Sequence, residues 1–256
     1  MHLLLSNDDG VHARGLNRLL EKFQMGHQVT VVAPLEEKSA TGHTITLSQP
    51  LRSRKIEENV YGISGFPADC ILFATGQVLQ GKNIDLVISG INHGPNLGQD
   101  IYYSGTVAAA REASFQRIPA IAVSCVLDFF KYDENPHYET SAWLMDRILQ
   151  LDIVKHFIPG EYLNINVPNV AIEQLKGCRV AELGLRSYSG LVEKRIDCRG
   201  REYFWIGGTY QGHSGLHETD CTLIEQNIAS VTPLYLGGVA SHRMDYWREV
   251  LAPLKF

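Results

Sequence analysis

Leu3-Leu4-Leu5-Ser6-Asn7-Asp8-Asp9-Gly10 is the stretch on which the fold turns. A short apolar run that stops abruptly in polar residues and a glycine is how a buried parallel strand ends where a doubly wound sheet presents its ligands. Asp8 and Asp9 stand at that end. Two adjacent carboxylates beside a buried strand terminus are costly unless something positive neutralises them, and a divalent cation bound through oxygen is the simplest neutraliser. The same residues also suit a turn in which one Asp caps the next helix, a reading that stays open.

Outward from this stretch, strand and helix patterns alternate. Leu16, Leu19, Leu20 and Phe23 recur at helical spacing within Gly15 to Met25, opposite Arg18, Glu21 and Lys22. His27 to Ala33 is β-branched and apolar and closes a βαβ unit. Val60 to Ser64 reads as a strand, and Pro67 opens a helix running to Val78. Ile84 to Ser89 reads as a short buried strand that stops at Gly90. Val107 to Ala113 is an alanine-rich helix, Pro119 to Val126 a strand, Tyr138 to Leu151 an amphipathic helix and Tyr162 to Val167 a further strand. Beyond Pro168 the texture changes to short strands between glycine-rich turns: Cys178 to Leu183, Glu193 to Arg195, Tyr203 to Ile206 and Ile228 to Leu234. The expectation is a Rossmann-like α/β core over 1–168, mostly parallel with helices on both faces. Residues 169–256 are expected to form a β-hairpin and C-terminal extension suited to oligomer contacts.

The totals narrow the function. The chain has 256 residues, 45% hydrophobic, with a formal net charge of -5. A mildly acidic balance gives no reason to expect nucleic acid or an anionic membrane as partner. No uncharged apolar run approaches the roughly 18 residues that span a bilayer, and no leader-like segment opens the chain. Cys70, Cys125, Cys178, Cys198 and Cys221 are odd in number and widely spaced, as reduced thiols of a cytoplasmic protein would be.

Three loops carry the chemistry, and in a parallel sheet all three leave from the carboxyl edge, where ligands bind at a switch in strand order. The first is Asn7 to Gly10. The second, Leu35 to Thr46, is rich in small and hydroxyl residues, with Ser39, Thr41, Thr44 and Thr46. The third is Gly90-Ile91-Asn92-His93-Gly94-Pro95-Asn96-Leu97-Gly98. Carboxylates, a hydroxyl and an asparagine carbonyl, without cysteine, favour Mg²⁺, Mn²⁺ or Ca²⁺ over a thiolate zinc site. Singly, Ser39 also suits a turn, and Asn92 and Asn96 also suit left-handed backbone. Ser104-Gly105-Thr106 at a helix start can hold an anion on free amides, and equally can be an ordinary serine cap. His12, His43 and His93 lie near enough to move protons or to be plain surface or core histidines. Arg111 either offsets phosphate charge or pairs with an acid, and Lys38 is a loop cation. His213 and His217 are four apart, but the glycines around them argue against a helical metal pair.

Asn7-Asp8-Asp9-Gly10, then Val31-Val32-Ala33-Pro34 with Ser39, then Ser89 to Gly98 and Tyr103-Ser104-Gly105-Thr106-Val107-Ala108-Ala109-Ala110-Arg111-Glu112 together resemble the SurE family of stationary-phase survival proteins, metal-dependent 5'-nucleotidases. The resemblance spans essentially the whole chain. It implies a Rossmann-like domain whose β-hairpin and C-terminal segment are exchanged between subunits, giving homodimers that can pair into homotetramers. It maps one divalent metal, Mg²⁺ or Mn²⁺, onto Asp8, Asp9, Ser39 and Asn92. Asn96 and Ser104 to Thr106 match its phosphate pocket. The implied activity is hydrolysis of nucleoside 5'- and 3'-monophosphates, with trimming of polyphosphate ends in some members. The chain departs from the pattern at Ala40, His43, Phe66, Cys198 and Asn227-Ile228, none of them a matched metal ligand.

Residues and resemblance taken together imply a metal-assisted phosphomonoesterase, with Asp8, Asp9 and Asn92 at the reacting centre. Two alternatives remain. An aspartyl-phosphate phosphatase wants two aspartates separated by one residue, whereas these are adjacent. A non-catalytic nucleotide-binding protein lacks its expected G-x-G-x-x-G turn after the first strand.

Overall fold

The computed structural model describes residues 1–127, 135–190, 192–215, 218–236 and 244. The alternation runs β1 (His2–Ser6), α1 (Arg14–Phe23), β2 (Gln28–Pro34), β3 (Ser53–Glu57), β4 (Val60–Ile63), α2 (Pro67–Phe73), β5 (Leu86–His93), α3 (Gly105–Phe115), β6 (Ala120–Val126), α4 (Tyr138–Leu149) and β7 (Glu161–Pro168). After these come β8 (Cys178–Val180), β9 (Leu185–Ser189), β10 (Val192–Ile196), β11 (Glu202–Ile206), β12 (Thr209–Ser214), α5 (Asp220–Glu225) and β13 (Ala229–Tyr235).

Nine strands form one sheet in the order β3-β4-β2-β1-β5-β6-β7-β13-β8. Pairings from β4 across to β7 are parallel, and β13 runs antiparallel to β7. The order reverses between β1 and β5, so the crevice of this α/β sheet opens where those two strands end. Alternation along β1 divides the core: Leu3 and Leu5 join α1 and α4 on one face, while Leu4 joins α2 and α3 on the other. All three leucines are fully buried, each contributing about 2 kcal/mol of transfer free energy.

Helix α3 is bedded differently from the amphipathic α1. Gly105, Thr106, Val107, Ala108, Ala109, Ala110, Ala113 and Ser114 are all buried. Their small size lets the helix lie close against β5, β6 and α2.

Several expected boundaries move. The strand expected to stop at Gly90 runs on to His93, with a register shift against β6 between Ser89 and Asn92. One extra residue there forms a bulge, which re-aims the side chains beyond it. Gly90 sits at φ +140°, and a Cβ on it would stand 2.2 Å from Val123 O. The helix expected to reach Val78 is α-helical only to Phe73 and continues as a π-helical turn over Ala74–Val78. Beyond residue 168 the chain does more than add hairpins. β13 and β8 rejoin the main sheet, while β9 pairs with β12 and β10 with β11 as two separate antiparallel ribbons.

Candidate functional site

The turn after β1 is locked by Asn7, whose amide donates to Gly10 O at 3.0 Å and whose Oδ1 accepts from Gly10 N at 3.3 Å. That internal bracket holds Asp8 and Asp9 at the switch point. Asp8 is 3% exposed. The Thr106 hydroxyl donates to Asp8 Oδ1, and the amides of Gly105 and Thr106 favour its charged form, yet burial outweighs them and pushes the carboxyl up. Asp9 accepts from His93 N at 3.1 Å. Burial, then the neighbouring Asp8 charge, pushes Asp9 up to about 7, and Glu37 adds to the shift.

Asn92 comes from the end of β5, past the bulge. Its amide nitrogen donates to Gly94 O at 2.9 Å, which turns Oδ1 inward to 3.2 Å from the Thr106 hydroxyl. That amide orientation follows from the hydrogen-bond network. One hydroxyl proton therefore serves two acceptors, Asp8 Oδ1 and Asn92 Oδ1. Among the described residues no Lys or Arg forms an ion pair with either aspartate. The nearest loop cation, Lys38, turns to Glu36 at 3.8 Å and lies 5.8 Å from the Phe66 ring centroid. An excess of buried acceptor oxygens is the donor set of a hard divalent cation, so these residues fit such a metal. Among the described residues no group of three or more His, Cys, Asp or Glu is placed to hold one. Hydroxyl and carboxamide oxygens would have to complete the shell.

Ser39 lies in the loop that Lys38 N ties to Asp8 O at 2.7 Å. Its hydroxyl is exposed and donates to Glu37 Oε1 at 2.8 Å, while both residues line the same cleft as Asp9. Glu37 is a third carboxylate at the site that sequence reasoning missed; its position two residues before Ser39 was the available signal. The loop is pinned on its far side by Gly42 N to Tyr103 O at 2.8 Å and by His43 Nε2 to the buried Glu112 at 2.9 Å.

The remaining residues divide. Ser104 Oγ caps α3 by accepting from Val107 N at 3.0 Å. Gly105 is the point of closest approach, because a Cβ there would stand 2.8 Å from Asp8 Cβ and 2.9 Å from Pro67 Cγ. Asn96 is buried in an asparagine lattice. Its amide donates to Ser124 Oγ at 2.8 Å, and its carbonyl accepts from Asn164 and Asn166 of β7. Arg111 bonds the Tyr162 hydroxyl at 3.0 Å instead of an acid. His12 is exposed, His43 is committed to Glu112, and His93 Nδ1 meets the Tyr138 hydroxyl at 2.5 Å. His213 contacts the Tyr210 hydroxyl at 2.8 Å; His217 lies outside the described residues.

The family model for "Survival protein SurE" matches residues 3–190. The 5'-nucleotidase SurE of Vibrio vulnificus (strain YJ016) is 40% identical over 250 residues, covering 96% of this chain and 95% of that one. The 5'-nucleotidase SurE of Geotalea daltonii is 42% identical over 236 residues, covering 92% and 93%. The crystal structure of the SurE protein from Aquifex aeolicus superposes with a TM-score of 0.85 at 38% identity, covering 98% of this chain and 99% of that one.

Proposed function

The chain belongs to the SurE family, and from that footing we propose that it is a metal-dependent 5'-nucleotidase, cleaving nucleoside 5'-monophosphates to nucleoside and phosphate. Nucleoside 3'-monophosphates and polyphosphate ends are further candidate substrates. The observation that carries the reading is the surplus of acceptor oxygens from Asp8 and Asn92 around the single Thr106 hydroxyl, at the switch point of the sheet. One cation per subunit, Mg²⁺ or Mn²⁺, would be held by Asp8, Asp9, Ser39 and Asn92. When bound, it supplies Lewis-acid polarisation of the phosphoryl group and acidifies water.

The protein's own groups do the rest. The Ser104-Gly105-Thr106 turn would seat the phosphate, where the positive end of α3 favours an anion, and Asn96, bonded to Ser124, Asn164 and Asn166, would brace the pocket from behind. Asp9, with Oδ2 held by His93 N, offers Oδ1 to the proton of the attacking water. Water oxygen bonds to phosphorus, the bond from phosphorus to the ester oxygen breaks, and the proton passes to the departing alkoxide. The Asn7 bracket fixes the backbone turn that carries both carboxylates.

The subunits associate as a homodimer or homotetramer, which is supported by the exposed β10 and β11 ribbon with Phe204, Trp205 and Ile206 facing outward. Among the described residues no helix is long and apolar enough to cross a membrane. The five cysteines stand as free thiols, in keeping with the cytoplasm as the compartment. Phosphate release from AMP should vanish in EDTA and return with Mn²⁺ or Mg²⁺. Asp8→Asn should lower kcat by about 10²-fold or more while leaving the thermal melt in place. Undiminished release by the EDTA-treated protein or by the variant would reject the reading.

A further inference from the structure

A cleft of about 270 Å³ opens directly beside Asp9 and Ser39, walled by Arg14, Glu37, His93 and Tyr138. Arg14 and Tyr138 also wall a second cleft of about 450 Å³, running between α1 and the start of α4 past Asn17 and Asn135. Alone, the first falls short of the roughly 300–1,000 Å³ of a typical ligand site; with its neighbour it reaches that range.

His93 is the exposed aromatic group at this mouth. Its position is fixed twice. The backbone N–H is held by Asp9 Oδ2 at 3.1 Å, and the ring is held through Nδ1 by the Tyr138 hydroxyl at 2.5 Å. Tyr138 itself is 6% exposed and rooted in the core that α1 and α4 share with β1. A planar ring anchored this firmly, next to a candidate phosphate-cleaving centre, is a stacking surface prepared before any ligand arrives.

Charge selects the kind of ligand. The walls mix Arg14 and Arg18 with Glu37, Glu21 and Glu139, and Arg18 is paired with Glu21 at 3.1 Å. A polyphosphate tail laid here would meet four carboxylates, Asp9, Glu21, Glu37 and Glu139. A neutral heterocycle would meet a ring to lie on, a guanidinium fork for its acceptor edge and a carboxylate for its donors.

We propose that this cleft is the nucleoside subsite, with the base stacked on His93 and its edge read by Arg14 and Glu37. The proposal rests on the nucleotidase reading and assigns the part of the substrate that the metal-site residues do not touch. His93 and Arg14 then set how strongly a nucleotide is preferred over a sugar phosphate carrying the same leaving alkoxide.

The test compares kcat/KM for AMP with that for ribose 5-phosphate, under Mn²⁺, in the wild type, His93→Ala, His93→Phe and Arg14→Met. Wild type should prefer AMP. His93→Ala should cut that preference about tenfold, His93→Phe should retain most of it, and Arg14→Met should reduce it. Because the readout is a ratio, a general loss of fold or metal cancels, and Arg14 is exposed enough for its variant to fold. Equal preference in the wild type, or a ratio unmoved in both His93→Ala and Arg14→Met, would overturn the subsite while leaving phosphomonoester hydrolysis standing. A wild type that frees phosphate from neither compound would overturn both.

Discussion

Asp9 is the residue whose state reports most directly on the site. Without metal its carboxyl is pushed up to about 7 from the ordinary carboxylate range. Between about pH 4 and 7 the folded protein therefore keeps a proton that the unfolded chain has released. Stability falls as pH rises wherever the folded state holds more protons. The metal-free wild type should accordingly lose roughly 5 °C of Tm relative to Asp9→Asn as pH climbs through that window. Saturating Mn²⁺ should reverse the trend, because the ion binds the ionised Asp9 that the variant lacks; calorimetric melts of both proteins at each pH, with and without the ion, would check it. Gly105 gives a second prediction at this scale. A methyl group there would collide with Asp8 and Pro67, so Gly105→Ala should cost about 1–3 kcal/mol and lower kcat by at least about tenfold, read by melt and by AMP turnover.

Single residues were also where the sequence was least complete. The structure brings Asp8 and Asn92 together at Thr106 with Asp9 beside them, and their nearness was legible because loops after neighbouring parallel strands leave from one edge of the sheet. Glu37 was not, since one more acid in a polar loop carries no periodic signal. The pairing of His43 with Glu112 joins residues 69 apart in sequence, a distance no local pattern spans.

Among the elements, the strands buried on both faces were readable as apolar runs. The elements that escaped are exposed or brief. β3 (SRKIE) is a polar edge strand, β9 and β12 belong to a solvent-facing ribbon, and α5 spans six residues. The bulge in β5 escaped because Gly90 looked like a stop, whereas it is the residue that lets the strand pass close to Val123 O and continue. Short as it is, α5 is pivotal. Its first residue, the fully buried Asp220, accepts from Gly98 N and Gly184 N at 2.7 Å and from Cys221 N at 2.8 Å. It thereby clips the loop after β5 to the stretch before β9. Asp220→Asn would place an amide donor against one of these N–H groups, and should destabilise the protein by about 1–3 kcal/mol, visible as a lower denaturant midpoint.

At the scale of the whole molecule, the outward-facing ribbon sets the expectation for assembly. Tyr203, Phe204, Trp205 and Ile206 on β11, with Val192 and Ile196 on β10, are 40–87% exposed. A surface this apolar is usual only where another subunit covers it. Trp205→Glu should shift the sedimenting species toward monomer; if the wild type itself sediments as a monomer at micromolar concentration, the ribbon has another purpose.

The tight bedding of α3 has a mechanical corollary. A rod wedged along its length by alanines and glycine has no slack to absorb a disturbance, so a bulge anywhere along its seat is delivered to its tip. A small-to-large substitution such as Ala109→Val, one turn along the buried seat from Gly105, would then be felt as a displaced Gly105-Thr106 turn beside Asp8.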